Sequence, residues 1–562
     1  MSASREVDQR TAASSLNDPD ASHPDDPVHR EIADGEIGDL EPNATDEIRS
    51  QEPARIDDEH RPVEGIERSA HLDLLGSVLS EPNPEPAQQV FVNRTLRMEK
   101  IACIGFDLDW TLAHYDQDSM SQTAFEMTLD RLVEQFSYPR AILESEFRAD
   151  FCRRGSILDT AEGAVLKMNR HRYVGRAYYG RRFLDAAERA ELYRREPINP
   201  ASNRFYFVDT LFELPEVNIF SEVVHLAEQH PEKLRLESYA RLFQDTRQAI
   251  DSIHADGTLK QRILGDLDRY LPRDERLLMA LERLALNGRR LILITNSEWF
   301  YTDGLCRQLF ENWSHGMRSW REIFDLVVVS AGKPGFFRKN RPFVALDAAG
   351  RPTEEVEVPS WGGVYSGGSR AGLMQLLDIP GEQMLYIGDH IYGDVVSSKL
   401  SSTWRTALIV SELEEEMKIR QRRQSQLRHM GVLRAELTDL GLRLDARRDV
   451  LELARRLATS GAETSGSTDV PELPDVERQL EQMGREHKAM REHAARLQSR
   501  FSQAINPYWG SLFKQGANKS LFGSQVDDFA CIYTSAVRNL AHYGSAHYYR
   551  VTADPMRHEV DV

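Results

Sequence analysis

What the 562-residue chain lacks narrows its identity first. Its four cysteines, Cys103, Cys152, Cys306 and Cys531, stand far apart with no C-x-x-C pair, so neither a zinc knuckle nor a dithiol exchange centre is on offer. That usage suits a reduced, cytoplasmic protein. No run of about 18 apolar residues occurs, and no apolar stretch follows a basic start, which leaves out a membrane-spanning helix and a secretory leader. Basic residues are in deficit, with 70 Lys and Arg against 89 Asp and Glu and a formal net charge of -19. This balance argues against a general nucleic-acid binder but leaves room for a local basic pocket that takes a phosphate. No internal repeat is evident.

The length calls for more than one domain, because a single core stops growing at about 250–300 residues. Residues 1–70 carry 19 acids against 7 Lys and Arg and few aromatics. Such sequence buries too little apolar surface to offset its chain entropy, so residues 1–85 are expected to form a disordered acidic tail.

The globular sequence is organised around Ile101-Ala-Cys-Ile-Gly-Phe-Asp-Leu-Asp-Trp-Thr-Leu112. Its apolar half has no helical period and reads as a strand buried on both faces, as in a parallel α/β sheet. Asp107 then falls where that strand ends, the edge at which open α/β sheets bind ligands. An Asp-x-Asp-x-Thr alone is more often the mark of a capped turn; three later strand ends reverse that preference. Asp274 can cap a helix with Leu277, Leu281 and Leu284 on one face, stopped by Gly288, and Leu291–Ile294 is the next buried strand, ending in Thr295-Asn296-Ser297. Leu326–Val329 runs into Ser-Ala-Gly-Lys333, Met384–Ile387 runs into Gly-Asp389-His-Ile-Tyr-Gly-Asp394, and Ala407–Val410 closes the series.

Each terminal group has a chemical use. A carboxylate at a strand end can attack phosphorus and carry the phosphoryl group, the role expected of Asp107. Asp109, two positions on, can protonate the leaving oxygen and then activate water. The hydroxyl and amide of Thr295 and the charge of Lys333 would meet the phosphoryl oxygens. Asp389 and Asp394 would complete an oxygen shell around Mg2+.

These four words, Asp-x-Asp-x-Thr at 107–111, Thr-Asn-Ser at 295–297, Lys333 and Gly-Asp-His-x-x-Gly-Asp at 388–394, resemble the motifs of the haloacid dehalogenase superfamily. With Phe91-Val-Asn-Arg94, Tyr365-Ser-Gly-Gly-Ser369, Tyr386–Asp394, Trp404-Arg-Thr406 and Ser520-Leu-Phe-Gly-Ser-Gln525, the chain resembles the cytosolic purine 5′-nucleotidases of the IMP/GMP-preferring type from about residue 88 to about 550. The resemblance implies a Rossmann-like core, an inserted cap, Mg2+ held by Asp107, the Asp109 backbone carbonyl, Asp389 and Asp394, and dephosphorylation of a purine nucleoside 5′-monophosphate through an aspartyl-phosphate. It also implies binding of substrate by Asn296 and Ser297, transfer of the phosphoryl to a nucleoside acceptor, and a homo-oligomer. In the cap, Arg247, Asp251, His254 and Lys260 match nucleotide-contacting positions, and Tyr178 or Tyr179 falls near the family's aromatic partner. Leu400, following Lys399, takes the place of a lysine through which effectors bind some relatives. Two other readings stay open: a phosphatase for another small phosphoester, and a non-catalytic nucleotide-binding scaffold.

Spacing gives the cap residues their own logic. Arg247, Asp251 and His254 stand at i, i+4 and i+7, so one helix face can offer a donor fork, an acceptor and a ring to one purine. An exposed Arg-Asp pair beside a half-buried histidine would look the same. Beyond the core, Leu433, Leu437, Leu440 and Leu444, then Val476 through Phe501, repeat in steps of three and four. A Gly/Ser/Thr/Pro-rich stretch, 460–474, separates them, so an antiparallel helical hairpin with a flexible tip is expected, its seam packed on the chain itself or on a second subunit. His487 on that seam reads as a tolerated core residue. The expected organisation is therefore an α/β core with a parallel sheet (86–118 and 275–412), an inserted mainly helical cap (119–274), a helical hairpin (413–505) and a C-terminal segment (506–562) packing on the core or a subunit interface.

Overall fold

The computed structural model describes residues 84–193, 198–199, 202–311, 319–460 and 473–551. Nearly all of the expected acidic tail, and most of the expected hairpin tip, lie outside the described residues. The chain divides into two compact units, one formed by residues up to Ser411 together with Leu512–Val551, the other by Glu412–Ser511. The C-terminal segment thus joins the first unit from Leu512, whereas the sequence placed its start at 506.

A ten-stranded sheet runs through the first unit. Seven strands are parallel neighbours in the order Ile532–Thr534, Arg405–Ile409, Met384–Gly388, Cys103–Phe106, Arg290–Ile294, Leu326–Val329 and Val364–Gly367. Antiparallel strands close both margins: Phe91–Val92 beside Ile532–Thr534, and Phe343–Leu346 followed by Pro352–Val356 beside Val364–Gly367. Ala407–Ile409 is therefore not the last strand, because Ile532–Thr534 pairs onto it.

The central strands are apolar runs buried on both faces, and Cys103–Phe106, Arg290–Ile294, Leu326–Val329 and Met384–Gly388 are buried at every residue, as parallel sheets covered on both sides require. From Cys103–Phe106 the chain moves outward on one side, then returns to the other side at Met384–Gly388. That reversal opens a crevice at the strand carboxyl ends. The register aligns those ends, since Phe106 pairs with both Ile387 and Leu293, and Ile294 with Val328. Gly105 permits the close approach of neighbouring strands: a Cβ there would lie 2.8 Å from Met384 Cε and 2.9 Å from Tyr386 Cδ2.

The insertion is rich in helices, as expected, among them Gln117–Phe136, Leu214–Gln229, Tyr239–Ala255 and Thr258–Leu264. It also holds an antiparallel five-stranded sheet, in the order Arg182–Phe183, Val174–Tyr179, Ala164–Met168, Ile157–Asp159 and Phe205–Phe207, which a mainly helical reading missed.

In the second unit, helices Gln424–Ser460 and Leu473–Ile505 pack antiparallel, with Gln426 donating to the Leu497 carbonyl at one end and Arg455 paired with Glu477 at the other. Leu433, Leu440, Leu444, Val476 and Phe501 are buried, so the seam is used within the chain. Among the described residues no helix is long and apolar enough to cross a membrane.

Candidate active site

The four terminal words meet at the crevice. Sheet pairing continues one residue past the first strand, Asp107 N donating to the Ile387 carbonyl at 2.9 Å. The chain then turns sharply: the amides of Thr111, Leu112 and Ala113 all donate to the Leu108 carbonyl, and Trp110 adopts a φ of 57°, a left-handed conformation uncommon for so bulky a residue. This turn leaves Asp107 and Asp109 side by side, both nearly buried.

Lys333 is the hub. Its buried ammonium reaches Asp107 Oδ1 at 2.9 Å and Asp394 Oδ1 at 2.8 Å, and donates to the Tyr386 hydroxyl at 2.9 Å. Tyr386 in turn donates to the Ile294 carbonyl, so the close packing allowed by Gly105 fixes the lysine from below. Asn296 holds the Lys333 backbone from the other side, accepting from its amide at 2.7 Å and donating to its carbonyl at 3.0 Å. Burial opposes charge on Lys333, but Asp107 and Asp394 outweigh it and raise its pKa well above the ordinary value. Burial also pushes Asp107 up, to about 7, against the pull of Lys333.

Oxygens of Asp107, Asp389 and Asp394 lie within 4.8 Å of one another. Asp389 Oδ2 is buried with no hydrogen-bond partner, and burial raises the Asp389 pKa well above the carboxylate range. A buried acceptor without a donor is costly, and three convergent carboxylates form a set that suits a hard divalent cation such as Mg2+. The residues present fit such an ion.

Asp109 points to a different group of partners. Its Oδ1 accepts from the Tyr115 hydroxyl and its Oδ2 from Ser297 Oγ, both at 2.6 Å, and Tyr115 meets the Tyr301 hydroxyl at 3.0 Å. Ser297 and Asn296 thus hold Asp109 and Lys333. Thr295 departs from expectation in one respect: its amide is already used, donating to the Val328 carbonyl at 2.9 Å, because strand pairing continues through residue 295. Its hydroxyl accepts from Ser297 N, which leaves the hydroxyl proton to donate.

The expected cap residues lie on the insertion. Arg247 turns back into its own domain, where one guanidinium nitrogen bonds the Tyr206 hydroxyl, Glu213 at 3.2 Å and Glu216 at 2.9 Å. Asp251, 3.8 Å from the Arg247 guanidinium, keeps its side chain 63% exposed. The ring of His254 stands edge-on to Phe212 at 5.8 Å, and Phe212 lies 6.0 Å from Trp110, next to Asp109. Burial, then the charges of Lys260 and Arg247, lower the His254 pKa to about 4. Lys260 pairs with Glu298, the residue after Ser297. Tyr179, by contrast, bonds the Tyr239 hydroxyl at 2.8 Å, and the rings beside Arg247 and His254 are those of Tyr206 and Phe212. Sequence reading also passed over Arg154, Tyr115, Glu213 and Tyr386; only Tyr386, inside a quoted word, carried any signal.

A model of the 5′ nucleotidase family matches residues 90–561. The chain is similar to 5′-nucleotidase domain-containing protein 2 of Rattus norvegicus, 28% identical over 526 residues that cover 89% of this chain and 86% of that one. It is 32% identical over 345 residues to the protein of the same name in Homo sapiens, covering 59% and 64%. A 5′-nucleotidase domain-containing protein of Dictyostelium discoideum is 28% identical over 469 residues, covering 82% and 73%.

Proposed function

The chain belongs to the 5′ nucleotidase family, and from that premise we propose that it dephosphorylates purine nucleoside 5′-monophosphates, with Mg2+, through an aspartyl-phosphate on Asp107. The observation that carries this reading is the buried cluster in which Lys333 touches Asp107 and Asp394 while Asp389 keeps an unpartnered oxygen.

One Asp107 oxygen attacks phosphorus and the bond to the nucleoside 5′-oxygen breaks, that oxygen taking a proton from Asp109. Asp109, now a carboxylate, removes a proton from water as it attacks the acyl phosphate, which releases inorganic phosphate and restores Asp107. A nucleoside hydroxyl in place of that water gives phosphotransfer. Tyr115 and Ser297 hold Asp109 toward the reacting oxygen, and Lys333 stabilises charge on the phosphoryl group. Bound between Asp107, the Asp109 carbonyl, Asp389 and Asp394, Mg2+ would neutralise the phosphoryl oxygens. The base lies toward the insertion, where Asp251, His254 and Phe212 offer an acceptor, a ring nitrogen and an apolar face.

Phosphate release from a panel of nucleoside monophosphates, with and without Mg2+, tests the reading. Purine 5′-monophosphates should be turned over fastest, chelation should stop release, and Asp107→Asn should be inactive. No release from any phosphoester by folded protein would overturn the activity. Faster release from sugar phosphates than from any nucleotide would overturn the substrate class.

A further inference from the structure

We propose that Arg154, contributed by the insertion, is the positioning residue that holds Asp389 for the metal, with Phe522 of the C-terminal helix as its backing. The proposal rests on the metal reading given above.

Arg154 Nη1 donates to the Asp389 backbone carbonyl at 2.7 Å and stands 3.9 Å from Asp389 Oδ2. Its side chain is fully buried, 0% exposed, so it has no surface with which to meet substrate. No donor bonds Asp389 Oδ2; the loop carrying the ligand is gripped through its backbone, which leaves that oxygen for a cation.

The guanidinium needs a wall behind it, and Phe522 supplies one. The Arg154 guanidinium carbon lies 5.5 Å from the centre of that buried ring, a cation–π distance. The following residue is Gly155, at a φ of 73°, where a Cβ would lie 2.8 Å from Phe522 Cβ. The helix Leu521–Phe529 is pressed just as close on its other side: Ser520 caps it by accepting from Gly523 N at 2.9 Å, and a Cβ on Gly523 would lie 2.4 Å from the Phe513 carbonyl oxygen. The run Ser520-Leu-Phe-Gly-Ser-Gln525, which the catalytic steps leave unused, thereby gains a task. Arg154 joins three segments distant in sequence at one metal ligand.

The experiment is calorimetric titration of the full chain with Mg2+ and no substrate, with circular dichroism and melting as the check on folding. Residues that orient a metal ligand typically contribute 10–100-fold to affinity, so Arg154→Met should weaken Mg2+ binding by about that factor. Arg154→Lys should fall between the two, and Phe522→Leu should lose a few-fold. Folded Arg154→Met with parent affinity would overturn the proposal. If that variant does not fold, parent affinity in both Arg154→Lys and Phe522→Leu would overturn it. Asp389→Asn separates this proposal from its premise: a parent chain that binds no Mg2+, with Asp389→Asn indistinguishable from it, removes the metal site itself.

Discussion

Replacing Lys333 by methionine keeps most of the unbranched stem and deletes its ammonium. The parent side chain is 3% exposed, and its ammonium contacts Asp107, Asp394 and the Tyr386 hydroxyl at 2.8–2.9 Å. A charge-assisted hydrogen bond contributes about 1.5–3 kcal/mol and a neutral one about 1, but both carboxylates stay buried after the change, and the loss of one partner from a buried ion pair costs about 3–5 kcal/mol. We expect that loss in urea unfolding of metal-free protein at neutral pH. With saturating MgCl2 it should shrink, since a divalent cation meets the same carboxylates. Turnover should fall by about 10²–10³, the usual effect of removing one fixed donor from developing negative charge. A variant within about 1 kcal/mol of the parent without metal, and within about tenfold in turnover, would refute the argument that Lys333 joins the cluster electrostatically.

Gly105→Ala, far from solvent, should also cost turnover, because a Cβ there meets Tyr386 Cδ2 at 2.9 Å and displaces the phenol that supports Lys333; overpacking of this kind costs about 1–3 kcal/mol, and thermal melting beside a turnover assay checks both effects. Tyr115→Phe removes one of two donors to Asp109 and should lower kcat about tenfold with KM nearly unchanged, whereas an effect on KM alone would assign Tyr115 to substrate binding. The pKa of His254 is lowered from 6.5 to about 4, so the folded chain binds fewer protons than the unfolded one between those values. Its contribution is complete above about pH 6.5 and is lost as pH falls toward 4, by about 3 kcal/mol. His254→Leu should flatten the difference in unfolding free energy across that window, and parallel parent and variant curves would remove the assignment.

The strand ends that carry the proposed site were legible because buried parallel strands are continuous apolar runs, so a carboxylate or lysine just after one stands out in the sequence. The parallel register then brings Asp107, Thr295 and Asp389 to one edge. The margins of the sheet gave no such contrast: Phe91–Val92 is two residues long, Ile532–Thr534 three, and Pro352–Val356 is mostly exposed and contains two glutamates. The insertion's sheet hid for the same reason, with short strands in which Lys167 and Arg176 interrupt the apolar pattern. Arg154 shows the limit most clearly. It follows Arg153 in the run Cys-Arg-Arg-Gly, and nothing local distinguishes the two, yet Arg153 lies near exposed Asp150 while Arg154 is sealed against Asp389. Only long-range packing separates them.

The same packing argues that substrate choice and catalytic geometry are not independent here. The insertion reaches the core loops through Arg154 at Asp389, through Lys260 at Glu298, one residue past Ser297, and through Phe212 against Trp110, one residue past Asp109. Each contact falls on a loop that carries the proposed site residues. Arg247, whose charge is balanced inside the insertion by Glu213 and Glu216, stiffens the wall that carries Asp251 and His254. A ligand that shifts this wall must therefore strain contacts bearing directly on Asp109, Ser297 and Asp389. Discrimination between bases should then appear in kcat as well as in KM, because a poorly fitting base disturbs the groups proposed to move the proton and hold the ion.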